Sequence, residues 1–404
     1  MRVLVSAAEA SADLHAAQLV AAIRRRIPSL ELMGIGGKHL EAEGLRPVAR
    51  AADLAVMGSV EVLSRLPTIR RAGRNLLAEA QARRPDVAVL VDYPGFHFRI
   101  GPQLHAMGIP VVYFIPPKVW VWRKSRLQAM KSWVSRVLCI LPFEPKIYDE
   151  AGIAAEFIGS PLIEELPVRM PREEARAHFR LASDVRALAV LPGSRPSEMK
   201  RHWQPFLDAA CTFCEMAGGK WVVLLPIAAT LDLDHWNAQA DSWARRLPPT
   251  VEIRLTREGS GMALRAADLA LVKSGTATLE AGVLECPMVV AYRPGKVTSL
   301  AVKHLLRYRG PVGLVNLFRG WKPGDAYLAP EVLHEEMTAE RLSAELHALF
   351  SDRERLDRMK HDLRELREVM MSGANGHGGP SDRAAAAVIE VARSSLSSAG
   401  SPRE

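Results

Sequence analysis

The chain has 404 residues, of which 48% are hydrophobic and 24% charged, a balance that supports packed cores and excludes a disordered or fibrous chain. Its net charge of +8 favours anionic partners without choosing among phosphorylated metabolites, phospholipid and nucleic acid. Four cysteines are too few for a disulfide scaffold, and no apolar run reaches the ~20 residues of a membrane span. A cytoplasmic protein is therefore expected.

The first predicted strand is RVLVS (2–6). Glu9, Ser11 and Asp13 follow it and interrupt the apolar start before a signal-peptide core forms. Two readings stand here. Ser11 or Asp13 caps the next helix, or Glu9 is held in a loop over a ligand. GIGGK (34–38) follows another strand, and no GxGxxG fingerprint of dinucleotide binding opens the chain. The strands DVAVLVD (86–92), PVVYFI (110–115) and RVLCILP (136–142) come next, separated by helix-length segments. Apolar runs without polar alternation predict parallel strands buried on both faces. After the strand at 86–92, Asp92 and His97 flank Pro94 and Gly95. His97 suits a general base, its ordinary pKa being ~6.5; alternatively, Asp92 caps the next helix and His97 sits on its surface.

A polar, proline-bearing stretch at about 160–185 reads as a linker, after which the alternation restarts. RALAVLPG (186–193), KWVVLLP (220–226), VEIRL (251–255), DLALVKSG (268–275) and PMVVAYR (287–293) are the strands of a second half. Gly193, Ser194 and Arg195 occupy the turn after the first of them. Glycine permits close backbone approach, the hydroxyl and free helix N–H groups face one point, and arginine offers a two-pronged donor; together they read as a phosphate grip. Ser274, Gly275 and Thr276 open another helix after DLALV. Glu280 lies one helical turn on, in reach of a ribose diol. With no Walker lysine and no acidic pair for Mg²⁺, kinase chemistry is disfavoured, and no metal site is expected. Cys211 and Cys214 form a CxxC, read as two small apolar residues on one helix face. From about 334 the sequence reads as helices, and SSLSSAGSPRE (394–404) as a disordered tail.

These readings predict an α/β fold of two Rossmann-like domains facing a cleft: residues 1–165, residues 166–345, and C-terminal helices with a flexible tail over 346–404 that cross back. Ligands then sit at the carboxyl ends of the strands.

The strand-end turns carry a resemblance. SAAEASADLH (6–15), GIGG (34–37), VMGSVEVL (56–63), DYPGFHFRI (92–100), PPKVWVWR (116–123), LPFE (141–144), FIGSPL (157–162), LPGSRPSE (191–198), SGTATLE (274–280), CPMVVAYR (286–293) and VGLVNLF (312–318) occur in one order. In them the chain closely resembles the lipid-A-disaccharide synthases, inverting glycosyltransferases of the GT-B type. The resemblance implies the reaction. UDP-2,3-diacylglucosamine donates its sugar to 2,3-diacylglucosamine 1-phosphate (lipid X), giving the β-1,6-linked lipid A disaccharide 1-phosphate and UDP. It implies no cofactor and no metal, and work at the cytoplasmic face of the inner membrane of a Gram-negative envelope. By position it assigns function to Glu9, Asp92, Arg195, Glu280 and Asn316. Where the family has glycines in the first loop this chain has Ala8, Ala12 and Ala16, and a second family aspartate is Gly95 here. That leaves Asp92 or His97 to take the proton from the acceptor hydroxyl.

Acylated substrates imply contact with a bilayer. Segments 60–84, with Arg65, Arg70, Arg71 and Arg74, 118–136, with Trp120, Trp122 and Trp133, and 296–309 mix apolar and basic residues as an anionic membrane surface requires. No RNA- or DNA-binding module is present. Helices crossing between domains also suit exchange in a homodimer. Two other readings remain: a non-catalytic relative that binds UDP or glycolipid, and a UDP-sugar epimerase on the same fold.

Overall fold

The computed structural model describes residues 1–54, 59–117, 125–245, 247–295, 310–320, 322, 324–372 and 378–399. The chain forms two compact units: Met1–Glu164 with Met371–Glu404, and Glu165–Met370.

The first unit is built on β1 (Arg2–Ala7), β2 (Glu31–Gly36), β3 (Ala49–Arg50), β4 (Val87–Val91), β5 (Val111–Phe114), β6 (Arg136–Cys139) and β7 (Ala155–Phe157). They lie in the order β3-β2-β1-β4-β5-β6-β7, every pairing parallel. All five residues of β4, Val-Ala-Val-Leu-Val, are buried, because helices cover both faces of the sheet. The second unit holds β8 (Val185–Leu191), β9 (Lys220–Pro226), β10 (Val251–Thr256), β11 (Leu269–Lys273), β12 (Met288–Tyr292) and β13 (Glu331–Leu333). Its order is β10-β9-β8-β11-β12-β13, again all parallel. The chain thus makes two sheets of helix-covered parallel strands, as the buried apolar runs predicted.

The strand orders place the sites. In each sheet the winding reverses at one point: between β1 and β4, and between β8 and β11. At such a switch point the connections leave in opposite directions and open a crevice at the carboxyl ends of the strands. The turns carrying Glu9 and Asp92 follow β1 and β4, and those carrying Gly193 and Gly275 follow β8 and β11.

Three short strands, β3, β7 and β13, were not anticipated. At two or three residues they are too short to show a period. The helices expected from 334 onward divide: Ala339–Ser351 and most of Arg353–Ser372 belong to the second unit, and Pro380–Ala399 to the first. The last helix packs Ala384, Ala385, Val388 and Ala392 into the same core as Leu19, Val20 and Ile23 of the helix Ala10–Arg26. The disordered tail is corrected accordingly, since residues 394–399 continue this helix and the Ser394 and Ser395 hydroxyls donate to the carbonyls of Glu390 and Val391. Residues 400–404 lie outside the described residues.

Candidate active site

In the second unit the turns after β8 and β11 enclose a cavity of about 270 Å³. Gly193, Ser194, Gly275, Thr276 and Glu280 line it, with Leu191, Pro226 and Ile227 supplying apolar wall. Two helices start at these turns, Pro196–Ala217 and Thr276–Val283. N–H groups at a helix start ordinarily lack intrahelical partners, the basis of anion binding. Here Pro196 has no N–H and the Glu198 and Thr278 N–H groups donate to the Arg195 and Gly275 carbonyls, which leaves the N–H groups of Ser197, Thr276 and Ala277 as the candidates. Gly193 is required on two counts: its φ of 142° is costly for any L side chain, and a Cβ there would stand 2.6 Å from Cβ of Glu198.

Glu198 organises the first turn. Its carboxylate accepts the Ser194 N–H at 3.1 Å and pairs with Lys273 Nζ at 2.8 Å. Burial works to raise the Glu198 carboxyl, but Lys273, the Ser194 N–H and the nearby Arg195 charge outweigh it and hold the group below its usual range. Lys273 ends β11 and also lines the cavity; sequence reasoning passed over it because it precedes the small residues of the turn. Arg195 is the N-cap residue of helix Pro196–Ala217 and is exposed, outside the lining. Ser274 is a second departure. Its hydroxyl donates to the Val312 carbonyl at 2.8 Å, so it ties the turn to the next segment and is not among the cavity-lining residues. Glu280 accepts a hydrogen bond from the Ser260 hydroxyl, and burial, opposed by that bond, raises its pKa. Ser260 lies 20 residues earlier, a partner that no local pattern reveals.

Asn316, to which the resemblance assigns a function, is not among the residues lining this cavity and instead borders a separate pocket with Val315 and Tyr327. Asn316 is 7% exposed. Its amide nitrogen donates to the Ala329 carbonyl and the Glu331 carboxylate, and its oxygen accepts the Ala329 N–H, each at 2.8 Å. Glu331 also accepts the N–H groups of Val312 and Gly313. The motif VGLVNLF is therefore a buried clamp that fixes the segment Ser274 leans on.

In the first unit the turn after β4 is strained. Asp92 and Tyr93 have φ of 50° and 45°, left-handed values that cost a non-glycine residue roughly 1–2 kcal/mol. The Asp92 carbonyl is held by the Tyr113 hydroxyl at 2.8 Å and by His97 Nδ1 at 2.6 Å. A carbonyl only accepts, so Nδ1 carries the proton and Nε2 accepts from Ser6 Oγ, 2.9 Å away. His97 is fully buried and its pKa is pushed down to about 4 by burial. With both ring nitrogens occupied inside the core, His97 is neither a surface residue nor placed to take a substrate proton; it holds Asp92. The helix Pro94–Ala106 has Tyr93 at its N-cap position with no side-chain cap, so the capping reading of Asp92 is also set aside.

Glu9 stands at the N-cap position of helix Ala10–Arg26 without a side-chain cap bond. It lies close enough to Tyr93 that its charge, after burial, raises the Tyr93 hydroxyl, which donates to the Leu54 carbonyl. Ser11 and Asp13 do not cap their own helix. Asp13, 2% exposed, instead accepts the N–H groups of Gly37, His39 and Leu40, capping the short helix Lys38–Ala42. Ala8, Ala12 and Ala16 are buried in the core; their methyl groups fill space between helix and sheet. Gly95 is exposed, with nothing within 4 Å of a Cβ placed there.

The sequence profile of the lipid-A-disaccharide synthetase family matches residues 3–375. The chain belongs to the lipid-A-disaccharide synthase family. It is 38% identical to the lipid-A-disaccharide synthase of Myxococcus xanthus over 96% of this chain and 97% of that one. With that of Anaeromyxobacter dehalogenans the identity is 39%, over 97% and 98%. Solved structures of the same fold include the calicheamicin glycosyltransferase CalG4, at TM-score 0.60, 16% identity and coverage of 97% of this chain and 98% of that one. The UDP-GlcNAc 2-epimerase of Neisseria meningitidis, bound to UDP-GlcNAc, matches at TM-score 0.56 and 10% identity over 98% and 100%.

The family's activity is that of a glycosyltransferase of lipid A biosynthesis, and no helix among the described residues is long and apolar enough to cross a membrane. The segments expected to meet a membrane fare differently. Arg70, Arg71 and Arg74 of helix Ser59–Arg83 are exposed and, with Arg99, surround a groove of about 580 Å³ floored by Ile69, Leu77, Phe96 and Ile100. Trp133 is corrected to a core residue, 2% exposed, packed against Phe98 and Tyr113. Arg65, Trp120, Trp122 and residues 296–309 lie outside the described side chains. Cys211 and Cys214 are buried in helix Pro196–Ala217, and burial pushes the Cys211 thiol up to about 12; they are inert filling.

Proposed function

We propose that the enzyme moves the 2,3-diacylglucosamine unit of UDP-2,3-diacylglucosamine onto the 6-hydroxyl of 2,3-diacylglucosamine 1-phosphate, with inversion and without a metal ion. UDP and the β-1,6-linked disaccharide 1-phosphate are the products. The observation that carries this reading is the cavity of about 270 Å³ between the turns after β8 and β11. The donor diphosphate lies at the two helix starts, by Gly193, Ser194, Gly275 and Thr276, and the ribose diol donates to Glu280. Arg195 adds charge from the exposed N-cap position. As the sugar–phosphate bond breaks, negative charge grows on the leaving diphosphate. N–H groups fixed before reaction stabilise that charge with little reorganisation, the role a bound cation plays in other transferases. The complex of the Neisseria meningitidis epimerase with UDP-GlcNAc supports a UDP-sugar on this fold.

On the acceptor side Asp92 takes the 6-hydroxyl proton as the nucleophile attacks the sugar carbon from the face opposite the diphosphate. His97 and Tyr113 position it through the Asp92 carbonyl. Glu9, at the neighbouring strand end, orients the acceptor sugar. The arginine-ringed apolar groove of the first unit meets the anionic surface of the inner membrane, each basic side chain contributing ~1 kcal/mol near it. The test is incubation with radiolabelled donor and lipid X in the presence of EDTA. Disaccharide and UDP in equal amounts are expected. UDP release that does not depend on acceptor points to an epimerase-like reaction, and binding without turnover to a non-catalytic relative; either result overturns the proposal.

A further inference from the structure

Lys273 is the last residue of β11 and stands where the two phosphate-type turns meet. β8 and β11 are neighbours, with Val272 level with Leu191, so the turns that follow them open side by side. The ammonium group of Lys273 lies 2.8 Å from the Glu198 carboxylate on one side. On the other, a Cβ placed on Gly275 would stand 3.5 Å from it. Its side chain is 16% exposed and that of Glu198 12%, and both line the cavity. An ammonium group has three N–H donors, and the bond to Glu198 uses one. With its side chain mostly withdrawn from water, the ammonium group interacts with a nearby anion more strongly than a surface lysine does.

From this geometry we propose that Lys273 is a phosphate ligand of the donor: its remaining N–H donors reach the diphosphate bound between the Gly193 and Gly275 turns. Glu198 keeps the ammonium from swinging out of the cavity before donor arrives, and the same carboxylate holds the Ser194 N–H. Lys273 thereby supplies, from the cavity wall, positive charge that the exposed Arg195 supplies from outside the lining. This assignment rests on the donor-site reading above and deepens it.

The test is calorimetric titration of UDP, UMP and uridine into the full-length protein and into K273M, K273R and the K273M/E198Q double variant. A wild-type protein that takes up no UDP would overturn the donor-site reading itself. With wild-type binding in hand, K273M is expected to lose about 10- to 100-fold in UDP affinity, the range of one charge-assisted hydrogen bond. Uridine affinity should stay within twofold, and K273R should keep most of the affinity for UDP. Should K273M fail to fold around an unpaired Glu198, the double variant, with no buried charge left over, carries the same expectation. Unchanged UDP affinity in the folded variant, or an equal loss for uridine, overturns the assignment.

Discussion

At the scale of single residues, the division of labour around Asp92 yields separable outcomes. His97 is buried with both nitrogens bonded, so His97→Ala should cost about 2–4 kcal/mol of stability through a cavity and two orphaned partners, read by denaturant unfolding. Asp92→Asn should leave unfolding nearly unchanged and lower kcat by ~10²–10⁴, the range of general-base catalysis. Full kcat in Asp92→Asn would remove it as the base. His97 also sets a pH dependence. Its folded pKa of about 4 lies below the ordinary 6.5, so between those values the unfolded chain binds the extra proton. Stability from this group is therefore complete above pH 6.5 and lost as pH falls toward 4, with a slope of up to about 1.4 kcal/mol per pH unit. His97→Asn should flatten that part of the stability curve; an unchanged slope contradicts a neutral, buried ring. The positions of Glu9 and Asp92 at strand ends, and of Glu280 in the helix that follows β11, were legible in the sequence because buried apolar runs mark the strands before them. The structural roles of Asn316 and Ser274 were not, because they depend on Glu331 and Val312, 15 and 38 residues away.

Among the elements, turn chemistry decides more than helix propensity. Gly193→Ala forces a methyl into Glu198 and an L residue into a left-handed φ. The variant should fold, yet bind UDP at least about tenfold more weakly, because the turn can no longer present its N–H groups together. Equal binding would mean that this turn does not hold phosphate. The strands around these turns were legible because buried parallel strands are unbroken apolar runs of five or more residues, such as β4 and β8. β3, β7 and β13 were not, since edge strands of two or three residues owe their conformation to a neighbour already in place. Asp13 shows the same limit: a residue at the start of one helix was read as its cap, whereas it caps the helix Lys38–Ala42 through three N–H groups.

For the whole molecule, the sequence led to the expectation of C-terminal helices over 346–404 that cross back, but not to the residues that make the return. What fixes it is the small apolar face of helix Pro380–Ala399, whose Ala384, Ala385, Val388 and Ala392 complete the core beside helix Ala10–Arg26. Removing residues 380–404 should expose that core, and the truncated chain should aggregate or unfold at markedly lower urea than the full one. The arginine-ringed groove belongs to this scale as well. Replacing Arg70, Arg71 and Arg74 together by Glu should abolish co-sedimentation with anionic vesicles at low salt while leaving UDP affinity unchanged; retained vesicle binding would move the membrane contact elsewhere.

The most direct measurement is product formation from radiolabelled UDP-2,3-diacylglucosamine and 2,3-diacylglucosamine 1-phosphate in EDTA, with wild-type protein and with Glu280→Ala. Acceptor-dependent formation of one disaccharide 1-phosphate per UDP is expected, with kcat/KM for the donor reduced at least about tenfold in Glu280→Ala by loss of the ribose hydrogen bonds. No disaccharide from the wild-type protein, or a Glu280→Ala variant as efficient as wild type, would contradict a donor held between the turns after β8 and β11.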